Sequence, residues 1–123
     1  IVKLHHSHIT IPSDAEVAAR KFYCDLLGLT EVQKPGTLKN NGGFWLQLSN
    51  IQVHVGIEDG TDRTKTKSHV AYEVDDLETI RAKLVAFGLN PKAGSPIPGY
   101  ERFECRDPFG NRMEFIQRTL SAD

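Results

Sequence analysis

The sequence predicts an α+β fold assembled from two copies of one βαβββ module, and three observations carry that prediction. Gly28 and Gly88 stand 60 residues apart; each ends a stretch with helical spacing of apolar residues, and each is followed by Leu (Leu29, Leu89). Segments with the period-two alternation of strands bracket both stretches. A polar link, Asp59 to Lys67, divides the chain into halves of similar length. A supersecondary unit written twice in a sequence is expected twice in space.

The elements follow in order. Leu4 to Ile11 alternates as a strand. Ala15, Ala18, Ala19, Phe22, Tyr23, Leu26 and Leu27 then recur at i, i+3 and i+4, one apolar stripe along a helix. Ser13 and Glu16 have the spacing of a capping box in front of it. Strands are predicted at Thr30 to Gln33, Gly43 to Leu48 and Ile51 to Ile57. In the second copy, Ser68 to Val74 reads as a strand and Leu77, Ile80, Leu84 and Phe87 as a helical stripe, with Asp75 and Glu78 as its box. A stretch broken by Pro and Gly near Pro91 to Ser95 follows, then strands at Arg102 to Arg106 and Arg112 to Gln117. These last two flank Asp107-Pro-Phe-Gly-Asn111, a tight turn in which Pro presets φ and Gly-Asn tolerates φ > 0. Gly at the C′ position closes both helices. The charged link between the copies, with Arg63, Lys65 and Lys67, reads as a solvated connector. Neither half of about 60 residues is expected to hold much core alone, so one domain over 1–123 is expected, with modules at about 4–58 and 68–118.

Bulk properties exclude several classes. A net charge of −1 gives no basic surface for nucleic acid or an anionic membrane. No run approaches the roughly 18 apolar residues of a membrane span, and the N-terminus lacks a signal-peptide core. The chain begins at Ile1 rather than Met, so a few preceding residues are expected. Two cysteines, Cys24 and Cys105, are too few for a disulfide framework or zinc knuckle, which points to a reducing, cytoplasmic setting.

Parity along the strands then selects a site. Side chains alternate across a strand. Ile9 and Ile11 share one face, and His6, His8 and Thr10 the other; in the matching strand Val70, Tyr72 and Val74 oppose His69, Ala71 and Glu73. The apolar faces must cover the helices, so the histidines point to the opposite, concave side. His54 follows Gly28 by 26 residues and Glu114 follows Gly88 by 26. Val53, Val55 and Ile57, and Met113 and Phe115, take the helix side and leave His54 and Glu114 with the histidines. A single strand histidine is more often a hydrogen-bonded structural residue. Imidazole or carboxylate at matching positions of both copies, all on one parity, is instead the donor chemistry of a divalent-metal site for Zn, Ni, Fe, Mn or Co.

At His6-Ser-His-Ile-Thr-Ile11, Phe22-Tyr-Cys-Asp-Leu-Leu-Gly28, His69 to Leu77 and Asp107-Pro-Phe-Gly-Asn-Arg-Met-Glu-Phe115, the chain resembles the vicinal oxygen chelate superfamily. That superfamily contains glyoxalase I, fosfomycin-resistance thiol transferases, bleomycin-resistance proteins and extradiol dioxygenases. The resemblance spans almost the whole chain. It implies a glyoxalase-like fold, in which paired modules form a cupped mixed sheet with helices on the convex side. It also implies metal ligands at His6, His69 and Glu114. Glyoxalase-like members place a carboxylate where this chain has His54, so the resemblance leaves His54 either as a fourth ligand or as a residue facing substrate. His8 shares the face of His6. Aligning Ser7-His8 with Ser68-His69 favours His8 as the first ligand, and aligning Ile11 with Val74 favours His6.

The chemistry implied is bidentate binding of adjacent substrate oxygens by a metal, so the leading expectation is a metal-dependent glyoxalase-like lyase or isomerase in which Glu114 or His54 moves a proton. Trp45, Gln47, Tyr100, Arg102 and Glu104 are candidate pocket residues beside His8. The alternative in another class is a bleomycin-resistance-like protein that sequesters a drug or metabolite without turnover. A thiol transferase or a dioxygenase stands further back: the chain shows no potassium-binding loop or dense phosphonate clamp, and extradiol enzymes usually carry four modules. The partners expected are a small-molecule substrate and, from the habit of relatives, a second copy in a homodimer.

Overall fold

The computed structural model describes residues 1–119. The chain divides into two compact units, Ile1–Thr61 and a second beginning at Asp62. Among the described residues each unit holds one four-stranded mixed sheet.

In the first unit, β1 (His6–Ile11) leads into α1 (Glu16–Arg20), which continues as a π-helical segment, Lys21–Leu26. β2 (Thr30–Val32), a 3₁₀ segment (Gly36–Asn41), β3 (Phe44–Leu48) and β4 (Ile51–Ile57) follow. The strand order is β1-β4-β3-β2, with β1 parallel to β4 and the other pairs antiparallel. The second unit repeats this plan. β5 (His69–Glu73), α2 (Leu77–Phe87), β6 (Lys92–Ala93), β7 (Tyr100–Arg106) and β8 (Arg112–Arg118) form a sheet ordered β5-β8-β7-β6, with β5 parallel to β8.

Each unit buries its own apolar set. In the first, Ile11, Ala19, Phe22, Tyr23, Phe44, Leu46, Val53 and Val55 are buried; in the second, Tyr72, Leu77, Leu84, Phe103, Cys105, Met113 and Phe115 are. Each large side chain withdrawn from water contributes roughly 1.5–3 kcal/mol. This burial puts the predicted helix-side parity of Ile11, Val53, Val55, Tyr72, Met113 and Phe115 on the packed face.

Local details depart from expectation. The first helix is not α throughout: Leu27 N–H reaches back five residues to Phe22 O at 3.0 Å, and the wider turn brings both Phe22 and Tyr23 fully inside, their rings edge-on at 4.9 Å. Ala18, predicted within the stripe, is exposed. The Ser13–Glu16 capping box does not form. Ala15 is the N-cap, and the Glu16 carboxylate accepts instead from Gly43 N–H, while Ser13 N–H goes to Asp59 Oδ1 at 2.9 Å. In α2 the cap is Asp76, not Asp75: its carboxylate accepts from Thr79 N–H at 3.1 Å and Thr79 Oγ1–H at 2.7 Å. Phe87, at the end of the predicted stripe, is 48% exposed. Both closing glycines behave as predicted, with φ of +78° at Gly28 and +101° at Gly88.

The link is not simply solvated. Arg63 is buried, and Arg63–Lys65 forms a short 3₁₀ turn capped by Asp62. Arg106 fastens it to the β7–β8 turn by donating to the carbonyls of Arg63, Gly110 and Thr66 at 3.0–3.1 Å. Within that turn Asp107 Oδ1 accepts from Phe109 N–H and Asn111 N–H at 2.9 and 2.8 Å.

Candidate functional site

Strand pairing fixes which residues of the two units correspond. His6 pairs with Gln52, two residues before His54; His69 pairs with Arg112, two residues before Glu114. His6 and His54 therefore hold the positions in the first sheet that His69 and Glu114 hold in the second. His8 falls at the position of Ala71, so the register pairs His69 with His6 rather than with His8.

On the first sheet His54 is buried and lies between two rings. Trp45 stacks on one side at 3.8 Å between centroids, and His6 lies at 4.1 Å. A hydrogen-bond relay sets its tautomer. Gln47 Nε2 donates to the Ser49 and Ile51 carbonyls, at 3.0 and 3.3 Å, which turns Gln47 Oε1 toward Gln52 Nε2 at 2.9 Å. Gln52 Oε1 then faces His54 Nε2 at 2.8 Å and can only accept, so Nε2 carries the proton and Nδ1 the lone pair. Burial, reinforced by neighbouring His6, His8 and His5, lowers the His54 pKa to about 4, and the ring is neutral at pH 7. His6 and His8 are exposed; His5, also exposed, sets Nδ1 3.0 Å from Nδ1 of His6. The His8 ring lies over the backbone of Gly56, where a Cβ would come within 2.5 Å of it.

On the second sheet His69 and Glu114 meet. His69 Nδ1 faces the Lys67 carbonyl at 2.9 Å; a carbonyl only accepts, so the proton is on Nδ1. In the neutral ring Nε2 is then a lone pair, and it faces Glu114 Oε1 at 3.1 Å. Two acceptors at that distance are favourable only with a proton or a cation between them. Arg102 Nη1 donates to the same oxygen at 3.0 Å and Arg102 Nε to the Ser95 carbonyl at 2.9 Å. Arg112 pairs with Glu104 beside them. Tyr100 is half-buried at the start of β7, with the Arg118 guanidinium 5.3 Å from its ring centre.

The predicted residues thus gather as His6, His54, Trp45 and Gln47 in one unit, and His69, Glu114 and Arg102 in the other. Among the described residues no group of three or more His, Cys, Asp or Glu is assembled as a metal cage. Sequence reasoning missed Gln52 and Arg112, although each sits two residues before a chosen donor and on its parity. It also missed Lys34 and Gly56, which line a cavity beside His54 and His8.

A duplicated βαβββ sheet that carries imidazole and carboxylate donors at matching strand positions defines a class of fold. The family model for the Glyoxalase/Bleomycin resistance protein/Dioxygenase superfamily matches residues 5–115, and the chain belongs to that superfamily. A putative glyoxalase family protein from Bacillus anthracis is 32% identical, with 97% of each chain covered and a TM-score of 0.87. Two further structures share the fold at lower identity. A glyoxalase/dioxygenase from Nostoc punctiforme is 18% identical over 97% of this chain and 92% of its own, with a TM-score of 0.80. A variant of the fosfomycin resistance protein FosX from Listeria monocytogenes, complexed with Mn(II) and a dihydroxypropylphosphonic acid, is 16% identical over 98% and 95%, with a TM-score of 0.76. No curated protein matches the sequence significantly. No helix among the described residues is long and apolar enough to cross a membrane.

Proposed function

We propose that this chain is a metal-dependent glyoxalase-like lyase or isomerase acting on a small substrate with adjacent oxygens, with His6, His54, His69 and Glu114 as its metal ligands. The observation that carries the reading is the His69–Glu114 contact. Nε2 of His69 and Oε1 of Glu114, 3.1 Å apart, are two donor atoms of the kind that would hold a divalent cation. Imidazole and carboxylate donors suit Zn, Ni, Fe, Mn or Co, and the choice among them is open to the measurement below.

The cation, when bound, supplies a Lewis acid for the paired oxygens of the substrate. The residues of the chain do the rest. Arg102 holds Glu114 Oε1, so Glu114 is presented in one orientation with its other oxygen available for a proton. His54 has its lone pair at Nδ1 and, where that pair faces substrate rather than the cation, is the second candidate to take or return that proton. Trp45 and Gln47 hold His54 in place, and His8, Tyr100 and Arg102 are proposed to contact substrate. A homodimer working in the cytoplasm completes the proposal.

One observation favours a second reading. Arg102 already satisfies Glu114 without a metal, as it would in a protein that sequesters a small molecule and performs no chemistry. The decisive experiment loads chelator-stripped protein with each of the five metals and assays an α-ketoaldehyde hemithioacetal. Turnover that appears with one metal and vanishes on chelation supports the lyase. Tight ligand binding that survives chelation, with no turnover, supports sequestration, and ring cleavage of a catechol on aerobic iron loading would place the chain with the dioxygenases.

A further inference from the structure

The repeat diverges at one place in a way that builds a cavity. On the polar face of the second sheet, Ala71 on β5 and Ile116 on β8 are diagonal neighbours, one small and one large, since Ala71 pairs with Glu114 and Ile116 with Glu73. At the corresponding positions the first sheet has His8 on β1 and Gly56 on β4. The sizes are exchanged: the missing side chain of Gly56 gives the His8 ring its seat, because a Cβ there would meet His8 Cε1 at 2.5 Å and Nε2 at 2.7 Å. Beside this pair lies a cavity of about 330 Å³ that is lined by first-unit residues, among them His8, Lys34, Leu38, Trp45, His54 and Ile57. That volume is at the small end of ligand sites.

Its lining is two-sided. Leu38, Trp45 and Ile57 offer apolar surface, and Leu38 remains 36% exposed. Lys34 is also part of the lining, its Nζ anchored by one hydrogen bond to the Gly42 carbonyl at 2.7 Å, so an ammonium with two further N–H groups is held at the wall. No Asp or Glu is among the described residues of the lining. The nearby acids are engaged elsewhere: Glu16 with Gly43 N–H and Glu58 with the Thr10 hydroxyl. A cation anchored beside apolar walls, without an acidic neighbour in the lining, selects an organic anion.

We infer that this cavity binds a small organic acid, its carboxylate on Lys34 and an imidazole N–H of His8 and its hydrocarbon part against Trp45, Leu38 and Ile57. The inference deepens the function proposed above by naming the substrate class, and it rests on that reading for its purpose, since His54 belongs to both the cavity and the proposed ligand set.

The test uses the sole tryptophan, Trp45, as its own reporter. Chelator-stripped protein is titrated with phenylacetate and with phenylacetamide, its uncharged counterpart, while Trp45 fluorescence is followed. Phenylacetate should bind saturably in the millimolar range and phenylacetamide about tenfold more weakly, the loss of one charge-assisted contact. Lys34→Gln, a change at a half-buried residue outside the apolar core, should weaken phenylacetate about tenfold and leave the amide unaffected. Gly56→Ala, which evicts the His8 ring, should also weaken phenylacetate. Equal binding of acid and amide, indifference to Lys34→Gln, or no saturation by about 50 mM would overturn the inference. Because the protein is metal-free throughout, failure of the proposed metal set leaves this titration unchanged, whereas a chain that binds metal and ignores phenylacetate loses only the acid pocket.

Discussion

His69 sets Nε2 3.1 Å from Glu114 Oε1 while its Nδ1–H is committed to the Lys67 carbonyl at 2.9 Å. In the absence of a cation, Arg102 is what steadies that buried carboxylate.

Arg102→Met should therefore leave Glu114 without its guanidinium and cost about 1–3 kcal/mol in urea unfolding of metal-free protein. In a Glu114→Gln background the same substitution should cost markedly less. Equal costs in both backgrounds would show that Arg102 acts on something other than Glu114.

The His54 ring gives a pH dependence with a definite sign. Its folded pKa is lowered from 6.5 to about 4, first by burial and then by the neighbouring histidines, so between those values the unfolded chain binds more protons at this site. Its contribution is thus present above pH 6.5 and is lost as the pH falls toward 4. Metal-free wild type should lose stability between pH 7 and 4.5 more steeply than His54→Gln, measured as the slope of unfolding free energy against pH. Parallel slopes would contradict the shift.

The relay from the Ser49 carbonyl through Gln47 and Gln52 makes a spectroscopic prediction. Nitrogen NMR of the metal-free protein should find His54 protonated at Nε2, and Gln52→Leu should release that preference while destabilising the fold by about 1 kcal/mol. A Nδ1–H tautomer in the wild type would break the relay.

Asp107 ties the β7–β8 turn by accepting two backbone N–H groups and the Asn111 side-chain amide. Its removal in Asp107→Ala should cost about 2–3 kcal/mol in chemical denaturation, since three donors lose a charged partner. A change below about 0.5 kcal/mol would mean that the turn holds without it.

Much of this was legible in the sequence because repeats and parity are local, periodic signals. The 60-residue offset of Gly28 and Gly88 and the alternation in β1, β4, β5 and β8 were enough to sort His6, His54, His69 and Glu114 onto the polar faces. Part of what was illegible depends on partners distant in sequence. Glu16 has the spacing of a capping residue, but Gly43, 27 residues on, claims it. The π turn at Lys21–Leu26 has apolar spacing close to that of an α-helix, so periodicity cannot separate the two. Adjacent Asp75 and Asp76 are equally good caps on paper, and only the Thr79 hydroxyl decides between them. Arg63 looked solvated because a sequence does not reveal that Arg106 will fasten its backbone to the neighbouring turn. Arg102 was flagged for substrate, and its engagement with Glu114 is set by cross-strand geometry that composition does not carry.

The most direct test of the account is elemental analysis of protein purified without chelator, as wild type, His69→Ala and Glu114→Gln, each first shown by circular dichroism to be folded. The account predicts close to one divalent metal per chain in the wild type and at least a tenfold loss in both variants. Metal-free wild type that takes up none of Zn, Ni, Fe, Mn or Co on loading, or variants that retain the full complement, would contradict it.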